Sequence, residues 1–170
     1  MPRKGFTLIE LLIVIAIVAI LAGVVFVALD PLTRFRDARD AARWTDITAI
    51  LSAIRVDQVD HGGRYGYGIR HDAAAATSTP SSPFAFMIVN ATTTPANCSV
   101  TCDSATTNRC ANLSQLVERG YLGQLPVSPN GAGSWSLTGN TGFYVQINAN
   151  NSVTAGACES ENASSISVTR

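Results

Sequence analysis

The sequence predicts an α+β fold in which one long N-terminal α-helix packs on a small antiparallel β-sheet head. Three observations support this prediction. An apolar run covers Leu11–Leu29, a helical apolar pattern follows it to about residue 60, and short apolar segments separated by turn residues fill the remainder. We therefore divide the chain into a leader (1–5), an apolar helix (6–30), an amphipathic continuation of that helix (31–60) and one globular head (61–170).

The apolar helix is long enough to cross a membrane. Residues 6–29 would form a helix of about 36 Å, and a bilayer has a hydrocarbon core of about 30 Å. A secretory signal peptide is the alternative, but it usually has an apolar core of about 7 to 15 residues before a small-residue cleavage site. Here the run is longer and Asp30-Pro31 follows it. The pattern therefore favours a membrane-spanning helix.

One carboxylate, that of Glu10, lies near the start of the apolar helix. A charge in lipid is costly and usually marks a function that involves a partner. The helix offers no cation of its own, because no Lys, Arg or His occurs between Thr7 and Leu29. Cleavage between Gly5 and Phe6 would create an α-amine, and the amine of a neighbouring copy could meet this carboxylate. The alternative is a hydrated glutamate at the headgroup boundary.

The segment Lys4-Gly5-Phe6-Thr-Leu-Ile-Glu10, with the apolar run after it, resembles the class III signal peptide of type IV pilins and type II secretion pseudopilins, known as the prepilin-type N-terminal methylation motif. The resemblance implies a pilin-like fold. It also implies that a prepilin peptidase cleaves after Gly5 and methylates the new amine of Phe6. Glu10 would then dock on the N-terminus of an adjacent subunit during assembly.

The membrane topology also depends on this resemblance. Basic residues lie on both sides of the span, so a count of positive charges does not identify the cytoplasmic end. They are Arg3 and Lys4 before it, and Arg34, Arg36, Arg39 and Arg43 after it. The resemblance implies that the leader is cytoplasmic and that the head is outside.

By the same resemblance, the chain is expected to be a structural subunit, a major pilin of a type IV pilus. Its partners would be prepilin peptidase, the assembly ATPase and platform proteins, the inner membrane before assembly, and further copies of the chain in a helical surface filament (fimbrium). A pseudopilin of a type II secretion or competence system is the first alternative. A monomeric anchored binding protein is the second, and it would not need Glu10.

The amphipathic continuation begins and ends at strong helix breakers. Asp30-Pro31 predicts a local break in the helix, and His61-Gly62-Gly63 predicts its end. The predicted buried stripe consists of Trp44, Ile47, Ile50, Leu51 and Ile54. Charged residues at three- or four-residue spacing between Arg36 and Asp46 predict a solvated face or, alternatively, ion pairs between subunits.

The head contains several short predicted elements. They are a buried strand at 84–89, a capped helix at 112–120, and strands at 135–137, 143–147 and 152–155. Residues 116–126 are similar to the helix-loop-strand region of major pseudopilins and related pilins. In the pseudopilin pattern, acidic residues of the following loop would bind calcium. No Asp or Glu occurs from Ser128 to Ala157. Because calcium prefers carboxylate oxygens, we predict no metal site and no cofactor.

The four cysteines, Cys98, Cys102, Cys110 and Cys158, allow three complete disulfide pairings. Disulfides are the natural expectation in an exported head. A zinc site is the alternative, but the spacing lacks the closely spaced cysteine pairs of zinc ribbons. If Cys158 pairs with any of the other three, the C-terminal segment is linked to the 98–110 segment.

Composition argues against two other classes of function. The chain has 12 basic and 12 acidic side chains, and loss of the leader removes Arg3 and Lys4, so no basic stripe favours nucleic-acid binding. The two histidines, His61 and His71, have no recognisable catalytic neighbours in the sequence. We therefore expect surface histidines and no enzyme activity.

Overall fold

The computed structural model describes residues 5–63, 85–89, 110–129, 135–136, 139–148, 150 and 152–170. Within them the elements are α1 (Leu8–Leu29), α2 (Pro31–Asp60), β1 (Ala85–Val89), β2 (Cys110–Asn112), α3 (Ser114–Glu118), β3 (Asn140–Ile147), β4 (Val153–Ala157) and β5 (Ser167–Thr169). The chain divides into two compact units, residues 1–37 and 38–170. The predicted α+β class, with a long N-terminal helix before a small sheet, is confirmed.

In the first unit, α1 is apolar along its whole length and none of its residues is buried. The helix continues through Gly23 and ends at Asp30, whose φ of 34° and ψ of 74° are left-handed. Pro31 then occupies the first position of α2, where its missing N–H costs no hydrogen bond. The predicted break at Asp30-Pro31 is confirmed.

In the second unit, α2 buries one apolar stripe against the sheet. Ile47, Ile50, Leu51 and Ile54 are each at most 1% exposed, because their three- and four-residue spacing places them on one helix face. Trp44 was predicted to belong to this stripe, but it is 39% exposed. Glycines with positive φ end the helix after Asp60, as predicted, at Gly62 and Gly63.

The five described strands form one sheet in the order β2-β1-β3-β4-β5. Three of its pairings are antiparallel, but β1 and β2 run parallel, so the predicted purely antiparallel sheet was wrong in this pair. A parallel pair requires a long connection, and residues 90–109 supply it. The strands β2 and β5, of three residues each, were not predicted because so short a stretch carries little alternation.

Both faces of the central strands are buried. Alternate residues of β1 and β3, including Phe86, Ile88, Phe143 and Val145, join the core beneath α2. The intervening residues form a second apolar cluster with members Ala85, Met87, Val89, Cys110, Trp135 and Tyr144. Since side chains alternate across a strand, burial of both faces explains the continuous apolar run of β1.

Candidate functional site

The first turn of α1 contains the predicted site residues Phe6 and Glu10. Thr7 is the N-cap of the helix, and its hydroxyl oxygen accepts a hydrogen bond from the Glu10 backbone N–H at 3.3 Å. The Glu10 carboxylate in turn accepts from the Thr7 backbone N–H at 2.9 Å and from the Thr7 hydroxyl at 2.8 Å. This arrangement is a capping box, which satisfies N–H groups that would otherwise lack partners.

The capping box uses only one oxygen of the Glu10 carboxylate. Both hydrogen bonds from Thr7 end on Oε2, and among the described residues Oε1 has no hydrogen-bond partner. The positive end of the helix dipole also favours a negative charge at this position. Glu10 is therefore held in a fixed position, with one oxygen left to accept a further donor.

The predicted cleavage point lies in exposed, non-helical backbone just before the cap. Gly5, Phe6 and Thr7 are all exposed, and the Phe6 side chain is 81% accessible. A methyl group added at Gly5 would meet no atom within 4 Å. Because the chain itself does not require a glycine there, a requirement for Gly5 would have to come from a protein that binds this segment.

The surface of α1 is almost entirely apolar and open. Its exposed large side chains include Leu8, Ile9, Leu12, Ile13, Ile17, Val18, Leu21, Val24, Phe26 and Val27. A shallow groove on one side is lined by Ala19, Ile20, Gly23, Val24, Val27 and Ala28. The helix is long and apolar enough to cross a membrane. Burial of apolar surface stabilises by about 25 cal/mol per Å², so cover by lipid or by other helices would stabilise this surface.

A second polar group of residues, which sequence reasoning missed, lies inside the head. Arg43 is fully buried and donates to Asp40 at 2.8 Å, to Glu161 at 3.1 Å, to the Ser128 hydroxyl at 3.0 Å and to the Pro129 carbonyl at 3.0 Å. We call these residues, together with Arg39, the Arg43 network. The prediction of a solvated charged face is therefore wrong for Asp40 and Arg43.

The C-terminal segment binds to this network through its backbone. The Asp40 carboxylate accepts hydrogen bonds from the N–H groups of Glu161, Asn162 and Ala163, at 2.9 to 3.2 Å. Burial acts to raise the pKa of Asp40, but these three N–H groups and Arg43 together lower it. The carboxylate therefore stays ionised and fixes the segment that follows β4.

Glu161 completes the Arg43 network from the other side. Arg39 donates to it through Nε at 2.7 Å and also through Nη2. The hydrogen bond from Arg39 is the largest cause that lowers the pKa of Glu161 to about 2, and Arg43 lowers it further against the opposing effect of burial. A bidentate arginine–carboxylate pair of this kind fixes orientation as well as distance.

A third polar cluster joins the end of α2 to the loop after α3. Arg119 donates to the buried Asp57 at 3.0 Å and to His61 Nε2 at 2.9 Å, while His61 Nδ1 donates to the Asp57 carbonyl at 2.7 Å. Tyr121 donates to Asp60 at 2.7 Å, and this bond is the main cause that raises the Tyr121 pKa. His71 lies outside the described residues.

Two of the four predicted disulfide cysteines belong to the described residues. Cys110 opens β2 and Cys158 directly follows β4. Cys98 and Cys102 lie outside the described residues. The pairing of the four cysteines therefore stays a prediction.

Comparison with known proteins identifies the N-terminal segment. Residues 1–26 match the family model described as the prokaryotic N-terminal methylation motif. The predicted resemblance of this segment to the class III signal peptide of type IV pilins and pseudopilins is confirmed. No curated protein and no solved structure matches the chain. The motif supports a precursor of the pilin or pseudopilin kind, anchored in the membrane through α1.

Proposed function

We propose that this chain is a structural subunit, a major pilin, of a type IV pilus filament. Prepilin peptidase would cleave the precursor after Gly5 and methylate the amine of Phe6. The assembly ATPase and platform proteins would then move the subunit from the inner membrane into a filament made of copies of the chain. The observation that carries this proposal is α1, a fully exposed apolar helix with one carboxylate at its start.

Glu10 would select the incoming subunit. In the single chain its carboxylate is bound by two donors of Thr7, both on Oε2. The methylated amine of Phe6 in a neighbouring subunit would add a cationic donor at Oε1, and such charge-assisted bonds are about twice as strong as neutral ones. Because α1 contains no cation, the partner has to come from outside the helix.

The surface of α1 also suits close contact between helices. The groove includes the small residues Ala19, Gly23 and Ala28 in its lining, and a methyl group added at Gly23 would meet nothing within 4 Å. Small residues of this kind allow two helices in an apolar medium to approach closely. The groove would therefore accept the side chains of a neighbouring α1.

The exposed side of α2 favours the same kind of contact. The hydroxyl groups of Thr45, Thr48 and Ser52 donate to carbonyls of their own helix, at 2.7 to 3.0 Å, so they need no outside acceptor. Val56 and Val59 continue this side and are 49% and 76% exposed. The face therefore presents mainly methyl groups, which would be stabilised by burial against another helix.

The alternative is a pseudopilin, since residues 116–126 are similar to major pseudopilins as well as to related pilins. The phenotype of a gene deletion would distinguish the pilin from the pseudopilin. Loss of long surface fibres in electron micrographs would support the pilin, whereas loss of protein secretion or DNA uptake without loss of fibres would support the pseudopilin. Mass spectrometry of the N-terminus tests both, because each requires a chain that starts at methylated Phe6. An intact leader on protein from native cells would contradict both.

Substitution of Glu10 tests how the subunit assembles. We expect Glu10→Ala to abolish filament incorporation while the cleaved subunit accumulates in the membrane. Glu10→Gln is the matched variant, since it keeps a side-chain oxygen for the Thr7 donors but removes the charge. Incorporation of the Gln variant at the normal level would show that the charge is not used. Normal incorporation of the Ala variant would instead favour a monomeric anchored protein.

A further inference from the structure

The two described cysteines lie far apart in the sheet. Cys110 begins β2 and lies opposite Met87 of β1. Cys158 comes after β4, and its backbone N–H donates to the Gly142 carbonyl of β3 at 2.9 Å. The strand order β2-β1-β3-β4 therefore places two complete strands, β1 and β3, between the cysteines.

This separation is too large for a disulfide bond between them. Neighbouring strands lie about 4.8 Å apart, so three spacings put the two Cα atoms about 14 Å apart. Cysteines joined by a disulfide have Cα atoms no more than about 7 Å apart. In an exported head both residues are nevertheless expected to form disulfides.

We infer that Cys110 and Cys158 each bond to a different one of Cys98 and Cys102. Of the three possible pairings, this excludes the one that joins Cys110 to Cys158 and Cys98 to Cys102. Each bond forms from two thiols, which lose two protons and two electrons to an oxidised dithiol–disulfide exchange protein, and that protein is reduced to its dithiol. The inference does not depend on the proposed function.

The sequence spacing permits this pairing. Cys98 and Cys102 are four residues apart, and four residues of extended chain reach about 14 Å. Cys110 belongs to the second apolar cluster and Cys158 packs against it, with its Sγ 4.0 Å from Met87 Sδ. Both described cysteines therefore border the same apolar cluster, and a partner segment of this length can reach both. Its two bonds link the C-terminal segment covalently to the edge strand β2.

Trypsin separates the cysteines in a way that tests this pairing. Cleavage after arginine places Cys98 and Cys102 in residues 71–109, Cys110 in residues 110–119 and Cys158 in residues 120–170. Digestion of the alkylated, unreduced full-length protein should yield one species that contains all three peptides. A direct link between 110–119 and 120–170, with 71–109 as a separate peptide, would overturn the inference.

A variant gives a second measurement on the same digest. In Cys158→Ser, residues 120–170 should be released while 110–119 stays joined to 71–109. The excluded pairing also releases 120–170, but it predicts that 110–119 is released as well and that an internal disulfide is left in 71–109. The mass of the linked species decides between these outcomes, and filament assembly is not required for either.

Discussion

The two units of this chain differ in how far the same kinds of side chain are buried. In α1 the leucines, isoleucines and valines are more than half exposed, whereas Ile47, Ile50 and Leu51 of α2 are completely buried. The carboxylates differ similarly, since Glu10 is exposed and Asp40 is 6% exposed. Among the described residues, the apolar core of the head and the Arg43 network are packed and paired within the head, whereas the apolar side chains of α1 are not covered. We therefore place the proposed function in α1, whose apolar surface is left uncovered.

The Arg43 network gives the largest expected difference between the units. Removing one partner of a buried ion pair leaves an uncompensated charge and costs about 3–5 kcal/mol. We expect Arg43→Ala to lower the free energy of unfolding by this amount, measured by denaturant titration of the full chain in micelles. Arg36→Ala, at an exposed position of the first unit, should change it by less than about 0.5 kcal/mol. Equal losses of unfolding free energy in Arg43→Ala and Arg36→Ala would contradict this difference between the two units.

Acid should weaken the head through Glu161. Its pKa is lowered from 4.5 to about 2, so the ionised form stabilises the fold above pH 4.5 and this stabilisation is lost as the pH falls toward 2. We expect a loss of about 1.5–3 kcal/mol, the usual contribution of hydrogen bonds to charged groups. Unfolding measured from pH 6 to pH 2 tests this. Glu161→Gln should be less stable at pH 6 and show a flatter profile, and an unchanged profile would exclude Glu161 as the cause.

Glycine substitutions compare the packing of the two units directly. A methyl group at Gly156 would overlap the Tyr144 ring, whereas one at Gly23 would meet nothing within 4 Å. Overpacking costs about 1–3 kcal/mol, so Gly156→Ala should destabilise the head by that amount. Gly23→Ala should leave head unfolding unchanged, and the same denaturant titration measures both. A larger effect at Gly23 would contradict the open surface of α1.

The smallest expected effect concerns Thr7. Loss of an N-cap side chain costs about 1 kcal/mol, so Thr7→Ala should loosen only the first turn of α1. Amide hydrogen exchange in micelles should become faster at Glu10 and Leu11, whose N–H groups bond to the Thr7 hydroxyl and carbonyl. Thr45→Ala removes a hydroxyl bonded within α2 and is the matched control. Faster exchange throughout α1 in Thr7→Ala would contradict a local role.

The sequence predicted the features that depend on local pattern. The apolar run, the break at Asp30-Pro31, the buried stripe of α2 and the strand β1 all follow from periodicity or from strong breakers. The T-x-x-E spacing of Thr7 and Glu10 is also a capping-box signature. These elements needed no knowledge of distant contacts.

The features that depend on distant contacts were not predictable. Glu161 lies 118 residues from Arg43, and nothing in its neighbourhood marks it as an ion-pair partner. The parallel pairing of β1 with β2 depends on the path of residues 90–109, which the pattern does not fix. Trp44 was misplaced because it lies near the edge of the helical stripe, where periodicity alone does not decide burial.

The break at Asp30 also has a consequence for how deep the chain sits in a bilayer. Glu10 and Asp30 are twenty residues apart, or about 30 Å along the helix axis, which matches the hydrocarbon thickness. Asp30 accepts a hydrogen bond from the Thr33 hydroxyl at 2.6 Å, so this end is polar as well. A vertical shift by one turn would push one carboxylate further into lipid. In a bilayer the two acids would thus oppose vertical displacement, so a thicker or thinner bilayer should change the tilt of α1 more than its vertical position.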